Sequence, residues 1–329
     1  MKRLLFFALC ASVCFCACSD DGVDNNNGVD KNYQAKNFIK ENLDRAKYSV
    51  TRTVSDQPTE ISLDNGVKMT IPGGTVFTKN NGTPITGEYT VEIYTMLTPS
   101  QVILSGTNTN FRGGSYLESY GFFNINVLQN GQAVDQSMKQ FINVSLPTEE
   151  DDYTWAQLWA GGDEDDQFAW EEVPDSLANA FIQGRDQDKG VVSFNKVFNF
   201  QFKKLGWYNC DVYWNVGNNT TVTVALTGRV GALADYQGYS GDTFVFFKAK
   251  ASNVIAQLYT SVNATTVQSY DNSMPVGTEG TLIAFSVKDG ECGLASREIT
   301  ITENQQETLE LLPVDKETVL ETLSALDVE

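Results

Sequence analysis

Apolar and polar residues alternate with a period of two along most of the chain from Val50 to Val314. The clearest stretch runs from Glu88 to Tyr94, where Tyr89, Val91 and Ile93 share one face and acidic or hydroxyl side chains share the other. Such alternation predicts a half-buried β-strand. The pattern recurs in six further apolar sets: Val67, Met69 and Ile71; Phe123, Ile125 and Val127; Ile142, Val144 and Leu146; Phe198, Phe200 and Phe202; Val222, Val224 and Leu226; Ile299 and Ile301.

Turn signals separate these segments. The pairs Asn65-Gly66, Asn81-Gly82 and Asn130-Gly131 tolerate the positive φ of tight hairpins. Many short strands at this spacing predict a sandwich or barrel, and the chain length suits two domains. We therefore predict an all-β fold with two tandem β-sandwich domains, residues 51–205 and 206–329, and a short C-terminal helix. The strands predicted in the second domain are Thr220 to Leu226, Thr243 to Ala249, Thr281 to Val287 and Arg297 to Thr302.

Two segments have helical rather than strand spacing. Near the C-terminus, Asp315 can cap a helix that should dock on the second domain. Its apolar stripe consists of Val319, Leu320, Leu323 and Leu326. The range from Tyr33 to Lys47 predicts a second short helix, with Phe38, Ile39 and Leu43 at helical spacing.

The N-terminus has the three-part form of an export signal. Lys2 and Arg3 are basic, the run from Leu4 to Phe15 is nearly all apolar, and a small residue, Ala17, precedes Cys18. The apolar run is too short to span a hydrocarbon core of about 30 Å, which needs roughly 20 apolar residues. It therefore predicts a signal peptide of residues 1–17, cleaved before Cys18.

The residues around this cut resemble known lipoprotein signals. Phe15-Cys16-Ala17-Cys18 resembles the lipobox of bacterial lipoproteins, although Phe15 stands where Leu is usual, and Ser19-Asp20-Asp21-Gly22 is similar to the export tag of Bacteroidetes surface lipoproteins. The resemblance implies fatty acyl chains, such as palmitate, on Cys18 and a lipid-anchored, surface-exposed location at the outer membrane. Residues 18–50 would then contain the lipidated cysteine and a tether, which is polar and flexible from Asp20 to Lys31.

A second resemblance covers roughly Ile61 to Cys210. Its motifs are Gly66-Val67-Lys68-Met69-Thr70-Ile71-Pro72-Gly73-Gly74, Thr86-Gly87-Glu88-Tyr89, Leu117-Glu118-Ser119-Tyr120-Gly121-Phe122-Phe123 and Leu205-Gly206-Trp207-Tyr208-Asn209-Cys210-Asp211. They resemble a β-sandwich domain of Bacteroidetes cell-envelope proteins, distantly similar to the one shared by ankyrins, netrin receptors and zonula occludens proteins. The resemblance implies a contact or packing module without an active site.

Charge and composition exclude several functions. The formal net charge is −19, and loss of the signal peptide makes it more negative because Lys2 and Arg3 leave with it. Nucleic acid is therefore an unfavourable partner, since its phosphates require basic patches. The chain contains no histidine, which excludes Ser-His-Asp and Cys-His nucleophile pairs and His-ligated zinc. Carboxylate pairs and Ser-Lys dyads stay open, and no cofactor is predicted.

After processing, Cys210 and Cys292 are the cysteines left besides the anchor. An even pair in an oxidising compartment permits one disulfide, and two small buried thiols are the alternative. Catalytic residues are not predicted anywhere in the chain.

Tryptophans are the candidate ligand contacts. Trp155 and Trp159 fall on one face of a predicted strand, with Trp170 on its return strand, and Trp207 and Trp214 lie near the predicted domain junction. Exposed, they would stack on sugar rings. Aromatic residues at such spacing more often pack in a core or between domains, which is the preferred interpretation.

Two weaker signals concern modification and metal binding. The acidic runs at 163–166 and 186–188 lack the spaced ligand pattern of a calcium loop, so solvated hairpin tips are preferred and no metal is predicted. Asp175-Ser176-Leu177 resembles the O-glycosylation sequon of Bacteroidetes, which implies a glycan on Ser176.

Three functions follow in order of preference. The first is a non-catalytic cell-surface lipoprotein whose sandwiches bind a glycan or an envelope protein. The second is a structural accessory subunit of an outer-membrane assembly, and the third is a carboxylate-based glycoside hydrolase. Aromatic side chains along an open groove would favour glycan binding. A large exposed apolar patch would favour the assembly subunit. Two acids about 5 to 10 Å apart in a cleft would favour the hydrolase.

Overall fold

A computed structural model describes residues 30–147, 157–164, 167–173, 192–194, 197–214, 217–234 and 241–328 of the chain. The predicted all-β class with a short C-terminal helix is confirmed. The helices are α1 Ala35–Arg45, α2 Pro99–Leu104 and α3 Lys316–Ala325, and a short 3-10 turn, Leu326–Val328, follows α3.

Strands β1 to β13 form the first module, and strands β14 to β23 form the second. The strands of the first module are β1 Lys47–Thr53, β2 Thr59–Ser62, β3 Lys68–Ile71, β4 Glu88–Met96, β5 Asn110–Phe111, β6 Ser115–Gln129, β7 Gln132–Ala133, β8 Ser137–Pro147, β9 Gln157–Glu164, β10 Gln167–Glu172, β11 Val192–Phe194, β12 Val197–Lys204 and β13 Gly206–Tyr213. Those of the second are β14 Asn219–Thr220, β15 Thr223–Gly228, β16 Thr243–Ala249, β17 Ile255–Gln257, β18 Thr260–Asn263, β19 Thr266–Gln268, β20 Met274–Pro275, β21 Glu279–Lys288, β22 Glu291–Thr300 and β23 Gln306–Val314.

The first module is a sandwich of two sheets. One sheet has the order β1-β4-β6-β13-β9-β10-β5, and the other has the order β11-β12-β8-β3-β2. Apolar side chains from both sheets meet in a first core, which includes Val91, Phe123, Val144 and Phe200. Its hairpins use the predicted turn residues, and Gly66 adopts a φ of +88°.

The second module is a sandwich in which one strand joins both layers. Its strands follow the order β17-β16-β21-β22-β23-β15-β19-β18. Strand β23 pairs antiparallel with β22 near Leu312 and then parallel with β15 along Gln306 to Leu311. A second-module core lies between the two layers and includes Val224, Phe247 and Leu282.

A third core joins the two modules and is called the shared core here. Neighbouring residues of one strand face different cores: Phe122 of β6 lies in the shared core, while Phe123 lies in the first core. In β21, Phe285 faces the shared core and Ala284 faces the second-module core. Strands covered on both faces need apolar residues at successive positions, which explains their departure from strict alternation.

All three helices contribute to the shared core. Phe38 of α1, Ile103 of α2 and Leu323 of α3 are fully buried there. Asp315 caps α3 as predicted, and its side chain accepts a bond from the Thr318 amide at 2.8 Å. Helix α3 contacts α2 as well as β22, so it docks on both modules rather than on the second alone. Within the described residues, no helix combines the length and apolar character required for a membrane crossing.

Two predicted domain boundaries fall inside the folded body. The stretch assigned to the tether, residues 18–50, contains α1 and the start of β1. The boundary between residues 205 and 206 separates β13 from its own sheet, because β13 pairs with β6 on one side and β9 on the other. The first module therefore extends to Tyr213, and the hydrogen-bond ladder is the physical reason.

The shared core makes unfolding of the two modules a single process. We expect one cooperative transition in scanning calorimetry, and Phe285→Ala should cost about 3 to 5 kcal/mol because its buried ring stacks on Phe244 and contacts Phe38. Leu312→Ala is the control, since that side chain is 56% exposed and its loss should change stability by less than about 0.5 kcal/mol. Two separate transitions would contradict the prediction.

Candidate functional site at the module junction

A buried polar segment of the first module binds the edge of the second. Asn110 acts as a substitute peptide group: its side-chain amide donates to the Gln257 carbonyl at 2.9 Å and its side-chain oxygen accepts from the Gln257 N–H at 2.9 Å. The Asn108 amide also donates to the Gln257 side chain at 2.8 Å. These three residues are at most 2% exposed, so each bond forms away from water.

Backbone bonds continue this contact. Thr109 and Ile255 exchange bonds, because the Thr109 N–H donates to the Ile255 carbonyl and the Ile255 N–H donates to the Thr109 hydroxyl, both at 3.0 Å. The Ser119 N–H donates to the Asn253 carbonyl at 3.2 Å. Buried amides that lose such partners cost about 1 to 3 kcal/mol each, so the network specifies one arrangement of the modules.

A β-bulge lies beside this contact and brings together two sequence motifs. The pairing of β6 with β13 shifts register between Asn209 and Asp211, and Gly121 of the bulge has a φ of +137°. The Ser119 hydroxyl donates to the Asn209 side chain at 2.7 Å, and the Asn209 amide donates to an oxygen of Asp211. The motifs around Ser119 and Asp211, noted in the sequence for their resemblance, thus form one buried cluster.

Asp211 is the unusual member of this cluster. The residue has no exposed surface, and its Oδ1 atom has no hydrogen-bond partner among the described residues. Burial raises the pKa of the carboxyl well above its ordinary value. The folded chain therefore retains the proton of Asp211 to a higher pH than it would that of an exposed aspartate.

The described tryptophans are structural rather than exposed. Trp159 and Trp170 have no exposed surface, and their ring N–H groups donate to the carbonyls of Asp211 and Asn108. Trp214 is 6% exposed and packs edge-on against Tyr116. A sugar cannot stack on a covered ring, so the candidate role of these three as ligand contacts is wrong.

The remaining predicted residues divide into two groups. Trp207 is half-buried against the shared core. Cys18, Trp155 and Ser176 lie outside the described residues. Among those that the structure describes, no cluster of three or more Cys, Asp or Glu side chains is arranged to hold a metal ion.

The possible disulfide is absent, and the two cysteines are the buried thiols of the alternative interpretation. Cys210 and Cys292 are both free. Cys210 points into the first core, whereas Cys292 belongs to the shared core, on the other side of the first sheet. Burial raises the pKa of both thiols, which lowers their reactivity.

An open groove of about 390 Å³ lies on the second module, on the β21 face that also contributes Ile283 to the shared core. Its lining is mostly polar: Lys250, Glu279, Gly280, Thr281, Glu298, Ile299 and Thr300. A volume above about 300 Å³ is enough for a small ligand or a few residues of a partner.

The groove presents two carboxylates on one face of the sheet. Glu279 pairs with Thr300 and Thr281 pairs with Glu298, so the two acids are diagonal neighbours, about 7 to 8 Å apart at Cα. The Glu279 side chain is 62% exposed and forms an ion pair with Lys250 at 3.3 Å. Both acids are exposed on the open groove rather than enclosed in a cleft.

No family model matches this chain, and no curated protein matches it either.

The buried Asp211 should make stability fall as the pH rises. Its raised pKa means that the folded chain holds the proton more tightly than the unfolded chain, so the stabilisation is complete below about pH 4 and is lost as the pH rises toward the raised value. Asp211→Asn should remove this slope and match or exceed wild-type stability at pH 8 in urea titrations.

Asp315→Asn is the matched control for this experiment. Bonds from Thr318 lower the pKa of this exposed carboxyl, so it contributes stability above about pH 4 that is lost as the pH falls, which is the opposite sign. An unchanged alkaline slope in the Asp211→Asn protein would contradict the raised pKa of Asp211.

Proposed function

We propose that the chain is a lipid-anchored lipoprotein of the bacterial outer membrane, exposed at the cell surface, whose rigid two-module body is a non-catalytic interaction module. Acyl chains on Cys18 would hold it to the membrane, and the polar residues that follow would separate the body from the lipid. An accessory role within an outer-membrane assembly is the closest alternative, and both roles require a stable body rather than a reactive site.

The observation that carries this proposal is the docking of α1. This helix is the first element after the tether, and Phe38 packs against Phe285 of the second module with ring centroids 6.0 Å apart. Tyr33 also bonds to the second module, because its carbonyl accepts from the Gly290 N–H at 2.8 Å. Helix α1 leads directly into β1 of the first module, so an anchor attached here would be connected to both modules.

An envelope protein is the partner that the described surfaces favour over a glycan. The buried Trp159, Trp170 and Trp214 remove the main support for sugar stacking. Among the described residues, the remaining exposed features include the polar groove and open strand edges, both of which suit polypeptide contact. Large exposed apolar residues in the described regions are scattered, and include Val262 and Leu312.

Anchoring is tested by changing the cysteines around the cut in the full-length gene. Cys18→Ser should abolish acylation and release the protein from the membrane fraction, while Cys16→Ser, inside the predicted signal, should stay acylated and membrane-bound. Mass spectrometry and protease treatment of intact cells measure the two properties. A Cys18→Ser protein that remains in the membrane fraction would overturn the proposed anchor.

The partner is tested with a photo-reactive residue at Thr300 in the groove. We expect a discrete adduct with one envelope protein, whereas the same probe at Asn81, on an exposed turn of the first module, should give none. If the protein is instead retained on a polysaccharide and Thr300→Trp abolishes retention, glycan binding replaces the protein contact. Equal labelling from both positions would contradict a groove partner.

A further inference from the structure

Strand β1 is an open edge of the first sheet. Within the described part of the chain, β1 pairs with β4 alone. The Val54 N–H donates to the Gly87 carbonyl at 2.9 Å. In an antiparallel ladder every second residue bonds to the same neighbouring strand, so this bond shows which residues of β1 bond to β4. The even-numbered residues of β1 therefore direct their backbone groups to β4. The backbone groups of four exposed residues point outward: Lys47, Ser49, Thr51 and Thr53. The Thr51 carbonyl accepts a bond from the Arg52 guanidinium at 3.0 Å, which an added strand would replace or share.

The apolar side of this edge is incompletely covered. Tyr48 and Val50 of β1, with Val54 beyond it, pack against the first core but stay half-buried. Prolines and β-bulges are two of the devices that block strand addition. Strand β1 contains no proline, and its pairing with β4 has no bulge. An added strand would complete both the hydrogen-bond ladder and the burial of Tyr48 and Val50.

We infer that the strand added at this edge is β1 of a second copy of the chain, antiparallel about a two-fold axis at Val50. In this register every residue of β1 is paired, and the residues whose backbone groups point outward lie opposite one another. The opposed residues are Lys47 with Thr53, Tyr48 with Arg52, Ser49 with Thr51, and Val50 with its own equivalent.

The sequence of β1 is complementary to itself in this register. Ser49 and Thr51 form hydrogen-bonded pairs, and the two Val50 side chains meet at a non-hydrogen-bonded pair, where side chains approach most closely. Tyr48 faces Arg52, which permits a cation–π contact, and like charges do not oppose each other. A two-fold contact of this kind is closed, so pairing stops at the dimer.

The charge of the chain gives this dimer a distinctive salt dependence. Each full-length copy has a formal net charge of −19, so two copies repel each other at low ionic strength, and salt screens this repulsion. The contact itself is made of backbone bonds and apolar groups, which salt does not weaken. The dimer fraction should therefore rise with ionic strength, unlike that of a dimer held by ion pairs.

The first test introduces a thiol at the two-fold axis in the full-length protein. In a non-hydrogen-bonded pair the Cα atoms are about 4.5 Å apart, within the range that a disulfide spans. Val50→Cys should give a cross-linked dimer under mild oxidation in the cell envelope. Ser49→Cys is the control, because it opposes Thr51 and not its own equivalent, and the native Cys210 and Cys292 are buried.

We expect at least tenfold more cross-linked dimer from Val50→Cys than from Ser49→Cys. A second pair of variants tests the open ladder by sedimentation: Ser49→Pro removes an outward N–H and should give monomer, while Ser49→Ala should stay dimeric. Equal cross-linking from the two cysteine variants, or a wild-type protein that is monomeric at every salt concentration, would overturn the inference. Neither outcome depends on the identity of any other partner.

Discussion

The buried contact between the two modules is the constraint on which the rest of the structure depends. Asn110 pairs with the backbone of Gln257 as a strand would, but it does so from a side chain, and Trp170 donates to the Asn108 carbonyl on the other side. These amides are shielded by the shared core, where Phe122 and Phe285 are fully buried. Separating the modules would expose the apolar surface and break the amide pairing together.

This constraint explains where the aromatic residues lie and what surface is left for function. Trp159 and Trp170 belong to the first sheet, yet they face the second module, so they are covered by the junction rather than presented to a ligand. A body built in this way has its open features elsewhere: the polar groove beside Glu298 and the free edge along β1. Both suit contact with another polypeptide, which is the basis of the proposed role.

Much of the fold could be predicted from period-two alternation. Strand β16 has the bounds expected from the pattern, Thr243–Ala249, and α3 begins after Asp315 as its capping chemistry indicates. Strand β22 was only partly predicted, because the expectation began at Arg297 whereas the strand begins at Glu291. The Cys292 side chain near its start is buried, and the local sequence there does not distinguish a strand from a turn.

The junction could not be predicted in the same way. The local sequence around Asn108 and Asn110 is typical of a loop. It does not distinguish an asparagine that bonds to a buried partner from one that faces water. Asp211 lies in a motif noted in the sequence, but its raised pKa depends on burial between elements far apart in the chain. Whether Cys210 and Cys292 can form a disulfide likewise depends on which side of the first sheet each thiol occupies.

The most direct test of the junction as a rigid unit is a distance distribution between the two modules. Spin labels at Asn81 of the first module and Val262 of the second occupy exposed positions, and the thiols of Cys210 and Cys292 are buried. With the labelled chain diluted in excess unlabelled chain, so that label pairs between two copies do not contribute, pulsed electron paramagnetic resonance should give one narrow distribution that is unchanged by salt. A broad or two-peaked distribution in the wild-type background would show that the modules move independently and would contradict the account.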